Sequence, residues 1–238
     1  MSDGATPSKP NRRHDLPRGE AVYRALRRAI IEQALRPGDK LPEDVIGERF
    51  GVSRTIVRGV LGRLHAEGLV ELKLNRGATV ARPSLEEACD IFEVRRSLER
   101  DVVRRLVGRV TPRQIALLEA HVAREGEARA RGAAESIRLA GEFHILLAEL
   151  SGNAVIARYI NELVSRCSLI LALYGRPHSP DCAVNEHLEI VAALRSGDAG
   201  KAIAVMEHHL DAVTERALLA SARTPQRDIR AILDAYAP

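Results

Sequence analysis

The segment that decides how this chain begins to fold spans residues 42–83 and reads PEDVIGERFGVSRTIVRGVLGRLHAEGLVELKLNRGATVARP. Its pattern of apolar and polar residues predicts a short helix at 42–50, a tight turn at Gly51, a longer helix at 54–67 and then a β-hairpin. Two helices joined by a tight turn and followed by a hairpin predict a winged helix-turn-helix.

The longer helix has two different faces. Its apolar residues recur at i, i+3, i+4 and i+7 and form one stripe that we expect to be buried: Val57, Val60, Leu61 and Leu64. Arg54, Thr55 and Arg58 lie off that stripe, and Ser53 is placed to cap the helix. Arginine bonds to guanine in the major groove, while hydroxyl groups and helix N-termini suit phosphates. This face is predicted to read DNA; a merely solvated helix face is the alternative.

The hairpin supplies a second basic element. Its strands read LVELKL and ATVARP and bracket the turn NRG, in which Asn75 and Gly77 tolerate positive φ. Lys73 and Arg76 are placed near the tip, where they would reach a groove or the phosphates. Lys73, Arg76 and Gly77 are therefore added to the predicted DNA-binding residues.

Charge is distributed unevenly along the chain. Residues 1–83 hold 16 lysines and arginines against 10 aspartates and glutamates, a net of +6, whereas the rest of the chain carries a net of −2. A basic N-terminal third favours a polyanionic partner. A helix at about 19–34 is expected to close the core of this region, and residues 1–18 are predicted to form a disordered basic tail.

Residues 20–82 resemble the DNA-binding domain of the GntR family of bacterial transcriptional regulators. The resemblance rests on RPGDKLPE, GVSRTIVR, LHAEGLV and NRGATV, which stand here in the family's order. It implies a double-stranded DNA operator whose bases or phosphates contact Arg54, Thr55 and Arg58. The sequence departs from the usual family pattern at three places: Asp44 instead of Arg, Ile56 instead of Pro, and Gly59-Val60 instead of Glu-Ala.

Beyond Pro83 the sequence predicts helices only. Six segments with helical periodicity lie between Gly, Pro, Asn or Asp breaks, and a short helix at 226–236 would make a seventh. The predicted fold class is mainly α, with an N-terminal winged helix-turn-helix of three helices plus a β-hairpin wing, followed by an all-α six- to seven-helix bundle. The predicted domain bounds are 19–83 and 84–222, with a tail or short helix at 223–238.

Three histidines of the bundle are placed to meet. The break RSGDAG at 195–200 predicts an antiparallel helix hairpin that puts His187 and His209 at the same level, roughly 16 and 17 Å from the turn. His144, inside the apolar run GEFHILLAEL at 141–150, is either a core histidine bonded to a nearby carbonyl or the third member of this set. Three imidazoles suit a divalent metal ion.

Residues 84–222 resemble the all-helical FCD-type effector domain of the FadR subfamily, through EVRRSLE, EFH, SGN, EHLEIVAAL and MEHHL. The resemblance implies that His144, His187 and His209 bind a divalent metal ion (Zn²⁺, Ni²⁺ or Mn²⁺), with the shell completed by water or effector. It also implies a small organic acid as effector, with Arg95 pairing with its carboxylate.

The family's fourth metal ligand, an aspartate one turn before the first histidine, is Ala140 in this chain. Two arrangements therefore stay open, a metal site weakened at this position and an imidazole-lined pocket without metal. Asn153, in SGN, is a second candidate effector contact, although a helix-breaking turn residue is its alternative role. For Arg95 the alternative is a surface arginine in an arginine-rich helix.

Several classes of protein are not expected. The sequence contains no Ser-His-Asp or Cys-His set, P-loop or GxGxxG motif, so an enzyme is not predicted. Its three cysteines are widely spaced and indicate neither a disulfide framework nor a zinc ribbon. There is no apolar run long enough to span a membrane and no apolar leader, so we expect a cytoplasmic protein without a membrane partner.

Together these features predict a homodimeric, sequence-specific transcriptional regulator, as a repressor. Its operator binding would respond to a small carboxylate effector held in a histidine-lined pocket, either beside a divalent metal ion or without one. The alternative is an architectural DNA-binding protein whose bundle only dimerises and binds no ligand.

Overall fold

The computed structural model describes residues 12–74, 77–175, 181–217 and 234. Within these ranges the chain forms nine helices and two strands: α1 (Arg12–Ile31), α2 (Glu43–Phe50), α3 (Arg54–Ala66), β1 (Val70–Lys73), β2 (Gly77–Val80), α4 (Leu85–Leu106), α5 (Pro112–Arg131), α6 (Ala133–Leu150), α7 (Ala154–Tyr174), α8 (Asp181–Ser196) and α9 (Ala199–Ala217). A winged helix-turn-helix precedes a helical bundle, which confirms the predicted fold class.

The first helix is longer than the sequence predicted. Its apolar residues close the N-terminal core as expected: Val22, Leu26, Ala29 and Ile30. Residues 12–18, which the sequence placed in a disordered tail, are helical and continue α1 towards the N-terminus. Extending an existing helix needs no new nucleation step, although Pro17 has no backbone N–H and therefore leaves out one hydrogen bond of the helix.

The helix-turn-helix consists of α2, a turn at Gly51 and α3. Gly51 adopts a φ of 62°, in the left-handed region, and its N–H donates to carbonyls of α2, which ends that helix. The Ser53 side chain accepts a hydrogen bond from the Ile56 backbone N–H and caps α3. The stripe predicted for α3 is buried in the winged-helix core: Val57, Val60, Leu61 and Leu64.

The wing is a short antiparallel hairpin. β1 and β2 pair with Lys73 opposite Gly77, and Gly77 has a φ of 77°, as its place in the turn predicts. Val70 and Val80 are buried and anchor the base of the hairpin in the core. Asn75 and Arg76, which were predicted at the tip, lie outside the described residues.

The bundle encloses a separate apolar core. α5 packs on α6 and α8, α6 packs on α7, and α4 packs on α7 and α9. Leu118 of α5 and Phe143 and Leu147 of α6 are fully buried at its centre. Six helices form the bundle within the described ranges, as predicted, whereas the helix predicted at 226–236 falls outside them apart from residue 234.

The winged helix and the bundle meet along α1. This helix packs against α6 and α7, and Leu169 of α7 is buried in the core of the winged helix. Arg27 of α1 donates hydrogen bonds to Asn161 Oδ1 at 2.7 Å and to Ser165 Oγ at 2.5 Å, both on α7. α1 therefore forms one wall of the space beside α6 and α7.

Candidate functional site

Three bundle helices bring the predicted histidines together. His144 of α6, His187 of α8 and His209 of α9 are each at most 3% exposed, and one ligand atom from each lies within 4.8 Å of the others. The Phe143 ring stacks on His187 at a centroid distance of 4.1 Å, which restricts that imidazole's orientation. The antiparallel α8–α9 hairpin has placed His187 and His209 at one level, as its spacing predicted.

Each imidazole is held by a different glutamate. Nδ1 of His144 lies 2.5 Å from Glu99 Oε2, Nδ1 of His187 lies 2.8 Å from Glu125 Oε2, and Nδ1 of His209 lies 2.6 Å from Glu186 Oε2. An ionised carboxylate only accepts hydrogen bonds, so these contacts assign the ring proton to Nδ1.

The Nε2 atoms of the three rings consequently turn inwards. His144 Nε2 and His209 Nε2 lie 3.1 Å apart, and His187 Nε2 has no hydrogen-bond partner among the described residues. Burial lowers the pKa of His144 from 6.5 to about 4 and that of His209 from 6.5 to about 3, because the attraction of their glutamates does not offset desolvation. Both rings are therefore neutral at pH 7.

Neutral rings protonated at Nδ1 expose lone pairs at Nε2. Two lone pairs cannot hydrogen-bond to each other, and an unpaired buried acceptor is costly. A divalent cation among the three Nε2 atoms would satisfy them all, and imidazoles backed by carboxylates are the usual ligands of such ions. The donor set of His144, His187 and His209 therefore fits a metal ion.

Two of the three glutamates are in turn held by arginines. Arg95 Nε donates to Glu99 Oε1 at 2.6 Å, and both side chains are buried. Burial alone would raise the pKa of Glu99, but the charge of Arg95 outweighs it and holds that pKa well below its usual range. Arg216 donates to both oxygens of Glu186, and the pKa of Glu186 falls to about 2 despite partial burial.

A cavity of about 1060 Å³ extends from the histidines towards α1. Its buried end contains the three imidazoles and Arg95, and Ala140 of α6 lies in its wall one turn before His144. Its outer end is lined by arginines of α1. A cavity of this size accommodates a small organic molecule.

Asn153 does not occupy the position that an effector contact requires. Its side chain accepts hydrogen bonds from the backbone N–H groups of Val155 and Ile156 and caps α7. It is absent from the cavity wall as far as the described residues define it. The turn role weighed for Asn153 thus replaces the expected effector contact, because a capping oxygen is already engaged by two donors.

The predicted DNA-reading residues share one surface. Arg54, Thr55 and Arg58 are exposed on the first two turns of α3, and Ser53 caps that helix beside them. Arg58 Nε donates to both Glu43 carboxylate oxygens, at 2.9 and 2.8 Å.

The wing offers two further basic positions predicted to contact DNA. Lys73 is exposed and forms an ion pair with Glu71 at 2.8 Å. Gly77, opposite Lys73, is exposed as well, while Arg76 is outside the described residues. The described part of the wing therefore presents one lysine beside the α3 surface.

Sequence reasoning missed the glutamates of the site. Glu99 and Glu125 lie on the buried stripes of α4 and α5, where an ionised carboxylate requires a partner. A glutamate at a helix position that the apolar periodicity predicts to be buried could therefore have indicated these two residues from the sequence. Glu186 directly precedes His187 in the chain but bonds to His209, a pairing that no spacing rule would have given.

A winged helix-turn-helix joined to a helical bundle with a polar internal cavity defines a class of DNA-binding proteins that respond to ligands. Comparison with known proteins identifies the family. The profile of the FCD domain matches residues 90–212, and that of the bacterial regulatory proteins of the gntR family matches residues 18–80. The chain belongs to the GntR family and carries an FCD effector-binding domain. It is a DNA-binding transcriptional regulator and not an enzyme.

Named relatives agree with this assignment. The HTH-type transcriptional repressor RspR of Escherichia coli (strain K12) is 27% identical over 201 residues, which cover 84% of this chain and 88% of RspR. The Nta operon transcriptional regulator of Aminobacter aminovorans is 29% identical over 189 residues, covering 78% and 89%. The structure of E. coli McbR/YncC has the same fold, with a TM-score of 0.70 at 22% identity, covering 83% of this chain and 93% of that one.

The hydrocarbon core of a bilayer demands a long, apolar helix, and the helices of the described residues do not meet that demand.

Proposed function

We propose that the chain is a homodimeric repressor whose release from its operator is controlled by a small organic acid in the histidine-lined cavity. The observation that carries this proposal is the convergence of three buried imidazoles at the inner end of the cavity, beside the guanidinium of Arg95. In a DNA-binding regulator, such a site would bind the ligand to which the regulator responds. Binding to genomic DNA would place it in the cytoplasm.

The buried end would hold a divalent metal ion through Nε2 of His144, His187 and His209. When bound, the ion would supply a Lewis-acidic centre that attracts an anionic oxygen of the effector. Glu99, Glu125 and Glu186 hold the Nδ1 protons of the three rings, so that Nε2 of each ring faces the site, and they fix the orientation of the rings. Arg95 adds a positive charge to the same wall, although part of it is engaged by Glu99.

The open side of the site lies at Ala140. A methyl group on α6, one turn before His144, provides no ligand atom, so the space beside it is available to water or to a carboxylate of the effector. The same feature favours a second candidate, an imidazole pocket that binds the acid without metal. Metal analysis of the purified protein separates the two candidates.

The DNA-reading surface would be Ser53, Arg54, Thr55 and Arg58 of each subunit, with Lys73, Arg76 and Gly77 of the wing on the flanking backbone. Arginine at the exposed start of a recognition helix suits guanine edges in the major groove. Two subunits would read two half-sites, and the effector would change the spacing between the two arms. The sign of regulation follows RspR, which is named a repressor.

The experiment combines metal analysis and native mass spectrometry of the purified protein with operator selection from random DNA. We expect about one divalent ion per chain, release of selected DNA on addition of organic acids, and dimers in the native spectrum. His187→Ala should abolish the response to the acid while keeping operator binding, since the winged helix has its own core. A His187→Ala protein that still leaves DNA on addition of the acid would contradict the proposed site.

A further inference from the structure

The outer end of the cavity is built by the DNA-binding domain itself. Side chains of α1 and of the turn after it complete a wall that α6 and α7 leave open, among them Arg27, Gln33 and Arg36. A molecule that fills the cavity from the histidines outward would therefore touch both the bundle and the winged helix.

Arg27 is the residue of this wall with unused hydrogen-bonding capacity. Its Nη2 donates to Asn161 and Ser165, but its Nε is buried and lacks a hydrogen-bond partner within the described ranges. Its carboxylate neighbour, Glu67, lies 3.7 Å from Nε, beyond hydrogen-bonding distance. A buried guanidinium N–H without an acceptor is costly, and an anionic oxygen arriving from the cavity would satisfy it.

Neighbouring arginines are more fully compensated. Arg138 Nε lies 2.9 Å from a Glu32 oxygen, and its Nη1 lies 2.8 Å from a Glu142 oxygen. Arg28 Nε lies 2.8 Å from the same Glu32. Arg27, whose Nε has no hydrogen-bond partner among the described residues, therefore retains capacity for an anionic group.

The two ends of the cavity are marked by two residues of one helix, α6. His144 marks the buried end on α6, and Arg138, bonded to Glu32 of α1, marks the outer end six residues earlier on the same helix, about 9 Å along its axis. Ala140 and Gly141, which line the cavity between them, offer no polar side-chain atom. A ligand that satisfies both ends needs a polar group at each end.

We propose that Arg27 forms a second anion-binding subsite, so that the effector is an organic acid with a second anionic group that reaches Arg27 at the outer end of the cavity. This inference rests on the proposed function, which supplies the first anionic group at the histidine end. Because Arg27 belongs to α1, the effector would bind the bundle and the winged helix at once. The affinity for the acid and the position of the DNA-binding domain would then depend on each other reciprocally.

The test is a calorimetric comparison of two matched series of acids on the full-length protein. One series is adipate, pimelate, suberate and azelate, and the other is hexanoate, heptanoate, octanoate and nonanoate. We expect at least one dicarboxylate to bind about tenfold more tightly than the monocarboxylate of the same length, because a second charge-assisted pair forms. Arg27→Gln should reduce this ratio to about one.

Two further variants make the comparison specific. Arg18→Gln removes an exposed arginine of α1 outside the cavity and should keep the dicarboxylate preference. Arg27→Lys keeps the charge but not the planar guanidinium group, and it should retain part of the preference for dicarboxylates. This variant tests the subsite even if Arg27→Gln is too unstable for calorimetry.

The outcomes distinguish this inference from the proposed function. Equal affinity of the wild-type protein for both series, or a preference that persists in Arg27→Gln, would overturn the Arg27 subsite and leave the organic acid effector standing. Failure of every acid in both series to bind the wild-type protein would overturn the organic acid effector, and the Arg27 subsite with it.

Discussion

His144 and His209 face each other through Nε2 atoms 3.1 Å apart, although 65 residues separate them in the chain. Neither ring donates a proton to the other, because Glu99 and Glu186 hold the Nδ1 protons of the two rings. Such a contact is stable when something positive lies between the lone pairs.

Replacement of Ala140 by aspartate should strengthen metal binding. The new carboxylate would stand one turn before His144 on the cavity side of α6 and could complete the shell of the ion. We expect an affinity for Zn²⁺ at least about tenfold higher, equivalent to about 1.4 kcal/mol, in competition with a chromophoric chelator. Ala140→Asn is the matched control, with nearly the same volume and no charge, and an equal gain in both variants would argue against carboxylate ligation.

Loss of the glutamate behind His187 should weaken the metal site without removing a ligand. Glu125→Gln keeps the shape of the side chain but no longer provides a charged acceptor for Nδ1 of His187. Carboxylates that orient ligating histidines contribute about 10- to 100-fold to metal affinity, and we expect a loss in that range. Glu127→Gln on the exposed side of α5 should leave the affinity for Zn²⁺ unchanged. Equal affinities in the two variants would show that Glu125 does not support the site.

Acid should destabilise the metal-stripped protein in a defined window. The pKa of His144 falls from 6.5 to about 4 and that of His209 to about 3 on folding, because burial disfavours their charged forms. The unfolded chain therefore binds more protons than the folded chain below pH 6.5. The free energy of unfolding has its highest value above pH 6.5 and decreases as the pH is lowered towards 4. The loss should reach a few kcal/mol, as each pKa unit is worth about 1.4 kcal/mol.

Urea unfolding in the presence of a chelator, repeated between pH 7.5 and 4.5, measures this dependence. His209→Gln should flatten the curve over the upper part of the window, while His208→Gln, on the exposed face next to it, should reproduce the wild-type slope. A wild-type slope in His209→Gln would mean that another group causes the acid sensitivity.

On the DNA side, Arg54→Ala and Arg58→Ala should each reduce operator affinity by about 1–3 kcal/mol, because each removes an arginine from the exposed start of α3. Arg113→Ala, on an exposed turn of α5, is the control and should bind as the wild-type protein does. Fluorescence anisotropy at fixed salt concentration, with circular dichroism to verify folding, measures the effect. Wild-type affinity in both α3 variants would exclude this surface as the reader.

Glu43 should lower operator affinity, in contrast to Arg54 and Arg58. Its carboxylate binds Arg58 in the absence of DNA and places a negative charge next to the predicted reading surface. Glu43→Gln should therefore increase operator affinity, by up to about 1 kcal/mol, since the pair is exposed and such pairs are weak. A decrease in affinity would indicate that Glu43 instead holds Arg58 in the conformation that reads DNA.

Local sequence determined the elements of this protein. The helix-turn-helix can be predicted from the sequence alone, because the features that form it lie within a few residues of one another. These are the i, i+3, i+4, i+7 spacing from Val57 to Leu64, the cap at Ser53 and the glycine at 51. The sequence also predicts that His187 and His209 lie side by side on neighbouring helices, because each is a fixed number of residues from the same tight turn.

Only the tertiary structure decided which polar side chains of different elements bond to each other. Glu99, Glu125 and Glu186 each find a histidine on another helix, and Arg27 finds Asn161 and Ser165 more than 130 positions away. Such pairings depend on the rotation and packing of whole helices. Burial makes the free energy of each of these polar groups depend on its partners, whereas local sequence encodes mainly periodicity and turns. The site and its link to the DNA-binding domain therefore exist only in the packed structure.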